Sequence, residues 1–171
     1  FMNFAYVYTL CHKEGHTRVG LFRPEYRIFS SWFNWWVGLF YGVLPASFAI
    51  GHSINHHKHN NGPHDVISTG DKPRDNAYNF IAYLTRQALY ASNVSTIIQF
   101  AREGNWPIVV RMFVGSAWYY GWLVLWWYAS PSFAVAYVLY PFFENTIILA
   151  AINWSWHSFI DPQDPENGFV A

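Results

Sequence analysis

The sequence has few charged residues, a single cysteine and no excess of basic over acidic residues. Charged residues make up 12% of the chain, about half the share found in soluble domains. The lone Cys11 excludes a disulfide framework within the chain. Because ten Lys and Arg are balanced by ten Asp and Glu, the net charge predicts neither nucleic-acid binding nor a polybasic membrane patch.

Apolar and aromatic residues take the place of the missing charges. Hydrophobic residues make up 53% of the 171 residues, and aromatic residues make up 22%. A soluble domain of this size could not bury that much apolar surface and still cover itself with charge. We therefore predict a multi-pass, all-α membrane protein. The mean hydropathy is only +0.05, so we expect polar segments outside the lipid.

Two segments in the C-terminal half are the clearest membrane spans. Residues 107–128 and 133–152 each approach the ~20 apolar residues that cross a bilayer, and a short turn joins them. This pattern predicts a transmembrane hairpin. All Lys and Arg lie at or before Arg111, so the positive-inside rule places their loops on the cytoplasmic side and the turn on the other. That membrane would be the endoplasmic reticulum in a eukaryote and the plasma membrane in a bacterium.

The N-terminal half contains shorter segments. Residues 1–10 are apolar but too short for a span, and the polar stretch 52–75 predicts a loop. Apolar residues recur at helical spacing within 78–103, which indicates an amphipathic helix on the membrane surface. Because both ends of the sequence look cut, we interpret 1–171 as a single partial membrane domain, truncated at its C-terminus and also at its N-terminus.

Three pairs of polar side chains share a spacing of four residues, which places both members of a pair on one face of an α-helix. Two imidazoles so placed can hold one metal ion, and imidazole nitrogen suits iron, zinc, copper and nickel. Each pair directly follows an apolar segment. The three pairs are His12/His16, His52/His56 and Asn153/His157.

The second cluster contains further histidines. His57 lies roughly 100° around an α-helix from His56, so it could reach a second metal ion. His59 and His64 are expected to be loop residues that at best contact the ligands from outside. The predicted metal ligands are therefore His12, His16, His52, His56, His57 and His157.

A shared metal centre constrains the topology, because all its ligands must lie on one side of the membrane. Residues 28–50 contain no charge and separate the first two histidine clusters. A single crossing there would place the clusters on opposite sides. We therefore expect the segment to dip in and return, or to lie in the interface, and its glycines and Pro45 make a break plausible. The hairpin then crosses twice and returns His157 to the starting side.

Two other classes of metal protein fit this pattern less well. A zinc protease needs a glutamate directly after its first histidine, whereas Glu14 stands two places after His12 and faces away. A metal transporter without oxygen chemistry would place its ligands within the spans near the midplane. Here the ligands flank the spans, which favours an enzyme over a transporter.

The pattern resembles the integral-membrane family of fatty acid desaturases and hydroxylases, which carry three histidine boxes. His12 and His16 match the first box, and His52, His56 and His57 match the second. The segment from Asn153 to His157 is similar to an Asn-x-x-x-His element of acyl-CoA desaturases. In that element the histidine ligates iron and the asparagine acts through a water, which implies the same role for Asn153.

The resemblance implies a fragment of a four-span fold with two non-haem iron ions and O₂ as co-substrate. It also implies a lipid or acyl substrate and an electron donor of the cytochrome b5 or ferredoxin type. No third box precedes Ala171, so we expect it farther along the gene, with this piece inactive by itself. A fatty acid desaturase is the favoured function. A lipid or alkane hydroxylase of the same family, a metal transporter and a non-catalytic relic remain alternatives.

Overall fold

The computed structural model describes residues 2–17 and 20–157, and it is all-helical within them, as the sequence predicts. The predicted third box lies outside this part of the chain. Eight α-helices occur in the described residues, together with 3-10 helices at Pro24–Phe29 and Val37–Tyr41 and π-helices at Ser47–His56 and Val135–Leu139. The α-helices are α1 (Met2–His16), α2 (Trp32–Trp35), α3 (His57–His59), α4 (Ala77–Ala91), α5 (Val94–Arg102), α6 (Trp106–Ala129), α7 (Pro131–Ala134) and α8 (Tyr140–Trp156).

The predicted hairpin is present as two long apolar helices. Helix α6 has 24 residues, and α7, the π-helix and α8 together form a continuous helix of 26 residues. Only Ser130 separates them, because its extended backbone ends α6 and Pro131 starts the next helix. Both are long and apolar enough to cross a membrane. In the most apolar 18-residue stretch of each helix, only 22% of the residues are buried in the protein. Much of their apolar surface therefore faces outward, where lipid would cover it.

The segment 28–50 does not form one helix. It is broken into short helical pieces, and a left-handed Gly42 (φ 70°) ends the second 3-10 helix. The Phe40 ring lies 5.4 Å from that of Trp122 and 6.4 Å from that of Phe133, measured between centroids. Because Phe133 is close to the hairpin turn, the segment reaches the turn end of the two long helices.

The same segment then returns along α6. Pro45 lies against Gly115, where an added Cβ would be 2.4 Å from the Pro45 carbonyl oxygen. Farther along, Ile50 packs with Met112 and Phe100 near the start of α6. The contacts thus move from the turn end of the hairpin back toward its open end. Of the two expected arrangements, this path fits the dip and return, and its place in the membrane stays a prediction.

Buried polar and apolar contacts hold the part of this segment around Gly42 against the hairpin. The Asn145 amide donates a hydrogen bond to the Gly42 carbonyl oxygen at 3.1 Å. At Gly42 an added Cβ would be 2.4 Å from the Phe142 Cα, so the close approach requires glycine. Leu39 and Leu44 complete the contact in one buried cluster with α6 and the hairpin's second helix.

The predicted surface helix over 78–103 is two helices instead of one. Asn93 adopts a left-handed conformation (φ 64°) between α4 and α5, so the chain turns there. Most of the predicted apolar stripe is exposed, with Ile81 58% and Ile98 45% accessible, although Ala91 is buried. Tyr83 and Gln87 on another face of α4 are buried. An outward apolar stripe suits contact with lipid, and a location on the membrane surface stays a prediction.

The predicted loop over 52–75 is wrong at its start. The π-helix and α3 continue the helical backbone through His59. Asn60 (φ 43°) and Asn61 (φ 62°) then end it with two left-handed residues in succession. Asparagine tolerates that conformation better than most residues, so these two positions give the helix its stop signal.

Two glycines of α6 offer a matched test of the returning segment. We expect Gly115→Ala to destabilise the protein by about 1–3 kcal/mol, because its methyl group would clash with the Pro45 backbone. Gly121→Ala meets nothing within 4 Å, so it should stabilise the helix by about 0.5–1 kcal/mol. The measurement is the unfolding temperature of the detergent-purified protein. Shifts of the same sign in both variants would contradict the packing of Pro45 on α6.

Candidate metal centre

Four imidazoles, two from α1 and two from the continuous π-helix and α3, converge on one point. The Nε2 atom of His12 lies 2.7 Å from that of His52 and 2.8 Å from that of His16. The Nε2 of His57 lies 3.0 Å from that of His52, and one ligand atom of each of the four residues falls within 4.8 Å of all the others. Nitrogens that share a metal ion at bond lengths of ~2.1 Å are about 3–4 Å apart. The four residues could therefore hold one ion with modest adjustment.

The π-helix decides which histidines join this group. In a π-helix the backbone bonds join residues five apart, and the His57 amide donates to the His52 carbonyl oxygen. His52 and His57 consequently share a face, with ring centroids 4.4 Å apart. The α-helical spacing predicted from the sequence would pair His52 with His56. In the structure, His57 lies beside His52 on one face, and His56 lies on a different face.

His56 instead faces the end of α8. Its ring centroid lies 5.4 Å from that of His157, with the two planes nearly perpendicular at 88°. Both residues are buried. The His56 ring is also 5.4 Å from the His52 ring, so this second pair adjoins the group of four. All six predicted metal ligands are therefore brought together, as a group of four and a neighbouring pair.

A buried carboxylate orients His56. The Nδ1 of His56 lies 2.6 Å from the Asp65 Oδ2, which also accepts a hydrogen bond from the Asn61 amide at 3.0 Å. The other carboxylate oxygen accepts from the Ile67 amide at 3.0 Å. Such a partner fixes the tautomer and leaves Nε2 to bind a metal. Sequence reasoning missed Asp65, whose only signal is an acidic side chain within a histidine-rich segment.

Asn153 is held beside this pair by a buried polar network. Its Nδ2 donates to the Tyr83 hydroxyl at 2.7 Å and to the Ile67 carbonyl oxygen at 3.2 Å. The Tyr83 hydroxyl also lies 3.1 Å from the Gln87 Oε1. A water on Asn153 would therefore have to be held through Oδ1. Its predicted contact with a metal through that water stays a prediction.

His59 and His64 lie near each other but apart from the group of four. Their ring centroids are 5.7 Å apart, and His64 is exposed. His64 precedes Asp65 directly, and its carbonyl oxygen is 3.5 Å from the Asn55 amide nitrogen. Their predicted place outside the ligands is compatible with this arrangement, although no contact with a ligand ring is seen for either in the described residues.

Burial keeps the central imidazoles neutral. Desolvation, together with the neighbouring imidazoles, lowers the pKa of His52 to about 2. Desolvation also lowers the pKa of His12 to about 4, with smaller contributions from His16 and His57. A neutral imidazole is the form that binds a metal ion, so these residues need not lose a proton near neutral pH before binding one.

The first box is fixed by contacts on the opposite face of α1. The buried Glu14 carboxylate accepts hydrogen bonds from the backbone amides of Phe33 at 3.3 Å and Asn34 at 2.7 Å. Glu14 thus points away from the imidazoles, in accord with the argument against a zinc protease. Gly15 allows the close crossing, because an added Cβ there would lie 2.6 Å from the Phe48 Cβ.

A mostly apolar cavity of about 330 Å³ opens beside the imidazoles. His12, His52 and His56 line it, and so does Asn145 on α8. Asn145 and Asn153 are eight residues apart, so they are separated by about 12 Å along the helix. The cavity walls include Val43, Leu44, Phe48, Ile148, Leu149 and Ile152.

Comparison with known proteins assigns this arrangement to a family. A family model described as fatty acid desaturase matches residues 1–170, which is nearly the whole chain. Comparison with curated proteins and with solved structures gave no match.

The role of Asp65 can be tested by metal binding. We expect Asp65→Asn to weaken metal affinity about 10–100-fold, because His56 loses its charged partner. Asp71→Asn is the matched control, since Asp71 lies on the same loop and pairs with Arg86 at the surface. Titration of the purified apoprotein with Fe²⁺ measures both. Equal affinity in Asp65→Asn and wild type would contradict the orienting role.

Proposed function

Because the chain belongs to the fatty acid desaturase family, we propose that it forms part of an O₂-dependent di-iron oxidoreductase that desaturates fatty acyl chains. Its family and its two helices long and apolar enough to cross a bilayer indicate a membrane protein. The observation that carries the proposal is the convergence of six histidines, three of which, His12, His52 and His56, line an apolar cavity. The distribution of Lys and Arg favours a cytoplasmic location for this site.

The residues fit two adjacent metal ions. His12, His16, His52 and His57 would hold one iron, since their ligand atoms lie within 4.8 Å of one another. His56 and His157 would hold the other, with Asn153 acting through a water. The second set has fewer ligands, and by the family resemblance a third histidine box would complete it.

Bound there, the irons would supply O₂ activation and the removal of hydrogen from an unactivated C–H bond. The overall reaction converts –CH₂–CH₂–, O₂, two electrons and two protons into –CH=CH– and two waters. The two electrons would come from a donor of the cytochrome b5 or ferredoxin type.

The protein's own residues would bind and position the acyl chain. Phe48, Leu149 and Ile152 line the cavity near the imidazoles, so they would exclude water from the reacting carbons. The acyl chain would extend toward Asn145, alongside α8. Asp65 would keep His56 in the tautomer that binds metal, and Tyr83 would hold the Asn153 amide.

The test uses the product of the complete gene, expressed in membranes and purified in detergent. We expect about two iron ions per chain and O₂-dependent formation of a double bond in an acyl substrate. His52→Ala should abolish the product while leaving membrane insertion intact, because His52 contacts three other imidazoles of the group. Lys58→Ala, exposed on α3, is the control and should retain activity.

Other outcomes would identify the alternatives. A hydroxylated product in place of the alkene would indicate a hydroxylase of the same family. Bound zinc without lipid oxidation, or full activity of His52→Ala, would refute the proposed oxidoreductase. Absence of a third histidine box from the continuing reading frame would count against it as well.

A further inference from the structure

Arg74 joins the loop before α4 to the C-terminal end of α8. Its Nη1 donates to the Trp154 carbonyl oxygen at 2.8 Å, and its Nη2 donates to the His157 carbonyl oxygen at 2.8 Å. The guanidinium carbon also lies 4.2 Å above the Trp154 ring. One side chain thus fixes the backbone of His157 and of a neighbour three residues earlier.

The C-terminal end of α8 is stabilised by a cation that donates hydrogen bonds to its last carbonyl groups. The last carbonyls of a helix have no partner within it, and they form the negative end of the helix dipole. Helix α8 has no basic residue in its own last turn, so the cation comes from a distant loop. A planar guanidinium donates two hydrogen bonds in fixed directions, which a single ammonium cannot do. Arg74 therefore suits this position better than lysine would.

A chain of hydrogen bonds connects Arg74 with His56. The Arg74 guanidinium also donates to the Thr69 hydroxyl. The Thr69 amide and hydroxyl donate to the Asn61 Oδ1 at 2.6 and 3.0 Å. The Asn61 backbone amide in turn donates to the Asp65 carboxylate, which is hydrogen-bonded to His56. The two members of the neighbouring histidine pair are therefore tied to one framework, His157 by its backbone and His56 by its ring.

We propose that Arg74 is a positioning residue of the second iron site, and that it sets the distance between His56 and His157. The inference rests on the proposed function in that these two histidines bind metal. The first group of four histidines has no contact with Arg74 among the described residues. Loss of Arg74 should therefore empty one site and leave the other occupied.

Arg86 on α4 provides a matched control, because it bonds to the same loop. It pairs with both carboxylate oxygens of Asp71 at 2.7 and 2.8 Å and donates to the Ser68 carbonyl oxygen. It thus attaches the loop to α4, and it makes no hydrogen bond or ion pair with α8 among the described residues. A general loosening of the loop should follow from loss of either arginine, whereas displacement of His157 should follow from loss of Arg74 alone.

The experiment compares Arg74→Ala, Arg74→Lys and Arg86→Ala in the purified product of the complete gene. Metal content per chain and Mössbauer spectra of ⁵⁷Fe-loaded protein are measured together with desaturation. We expect Arg74→Ala to fall from about two irons to about one, with a mononuclear spectrum and a loss of activity of at least tenfold. Arg74→Lys should keep an intermediate amount of the second iron, and Arg86→Ala should keep both.

Several results would overturn the proposal. Two irons and full activity in Arg74→Ala would do so, and so would equal loss of metal from the Arg74 and Arg86 variants. If Arg74→Ala does not fold, Arg74→Lys decides. Two bound irons and a wild-type spectrum in Arg74→Lys would show that the two hydrogen bonds of the guanidinium are not needed. A wild-type protein that binds two zinc ions without lipid oxidation would refute the oxidoreductase. In that case, selective loss of one ion from Arg74→Ala would still support the positioning role.

Discussion

The contact between His12 and His52 is the constraint on which the rest of the structure depends. Their Nε2 atoms lie 2.7 Å apart although 40 residues separate them. The chain between them is largely apolar and must therefore leave this point, reach the turn end of the hairpin and return. Two close backbone approaches make that path possible, at Gly15 beside Phe48 and at Gly42 beside Phe142. Each leaves no room for a Cβ, so the path requires glycine at both positions.

The sequence predicted the parts of this arrangement that depend on residue type and on length. The hairpin could be predicted because two apolar runs long enough for a bilayer flank one short turn. The dip and return could be predicted because ligands of one centre cannot lie on opposite sides of a membrane. The clustering of six histidines could be predicted because most of them recur in pairs four residues apart, and the structure brings all six together. Their binding of metal stays a prediction.

Other features depend on tertiary contacts, which produce no periodic pattern of residues in the sequence. The π-helix over Ser47–His56 exchanges the places of His56 and His57, and nothing in the spacing distinguishes it from an α-helix. Such a helix is rarely stable by itself and persists where packing supports it, here through Phe48 and Ile50 against α1 and α6. Asp65 and Arg74 could not be predicted either. Both act through hydrogen bonds between side chain and backbone, which have no characteristic spacing in the sequence.

The two groups of histidines differ in how the fold assembles them. The group of four comes from two elements that touch directly, so its geometry follows once α1 packs on the π-helix. His56 and His157 are far more distant in sequence, and the hairpin must be complete before they can meet. Distant contacts of this kind bring a larger loss of chain entropy and need support from several bonds at once. The polar loop between α3 and α4 provides that support, since it bonds to His56 through Asp65 and to the end of α8 through Arg74. A loop that seemed in the sequence to be only a connection is thus the element that unites the two halves of the site.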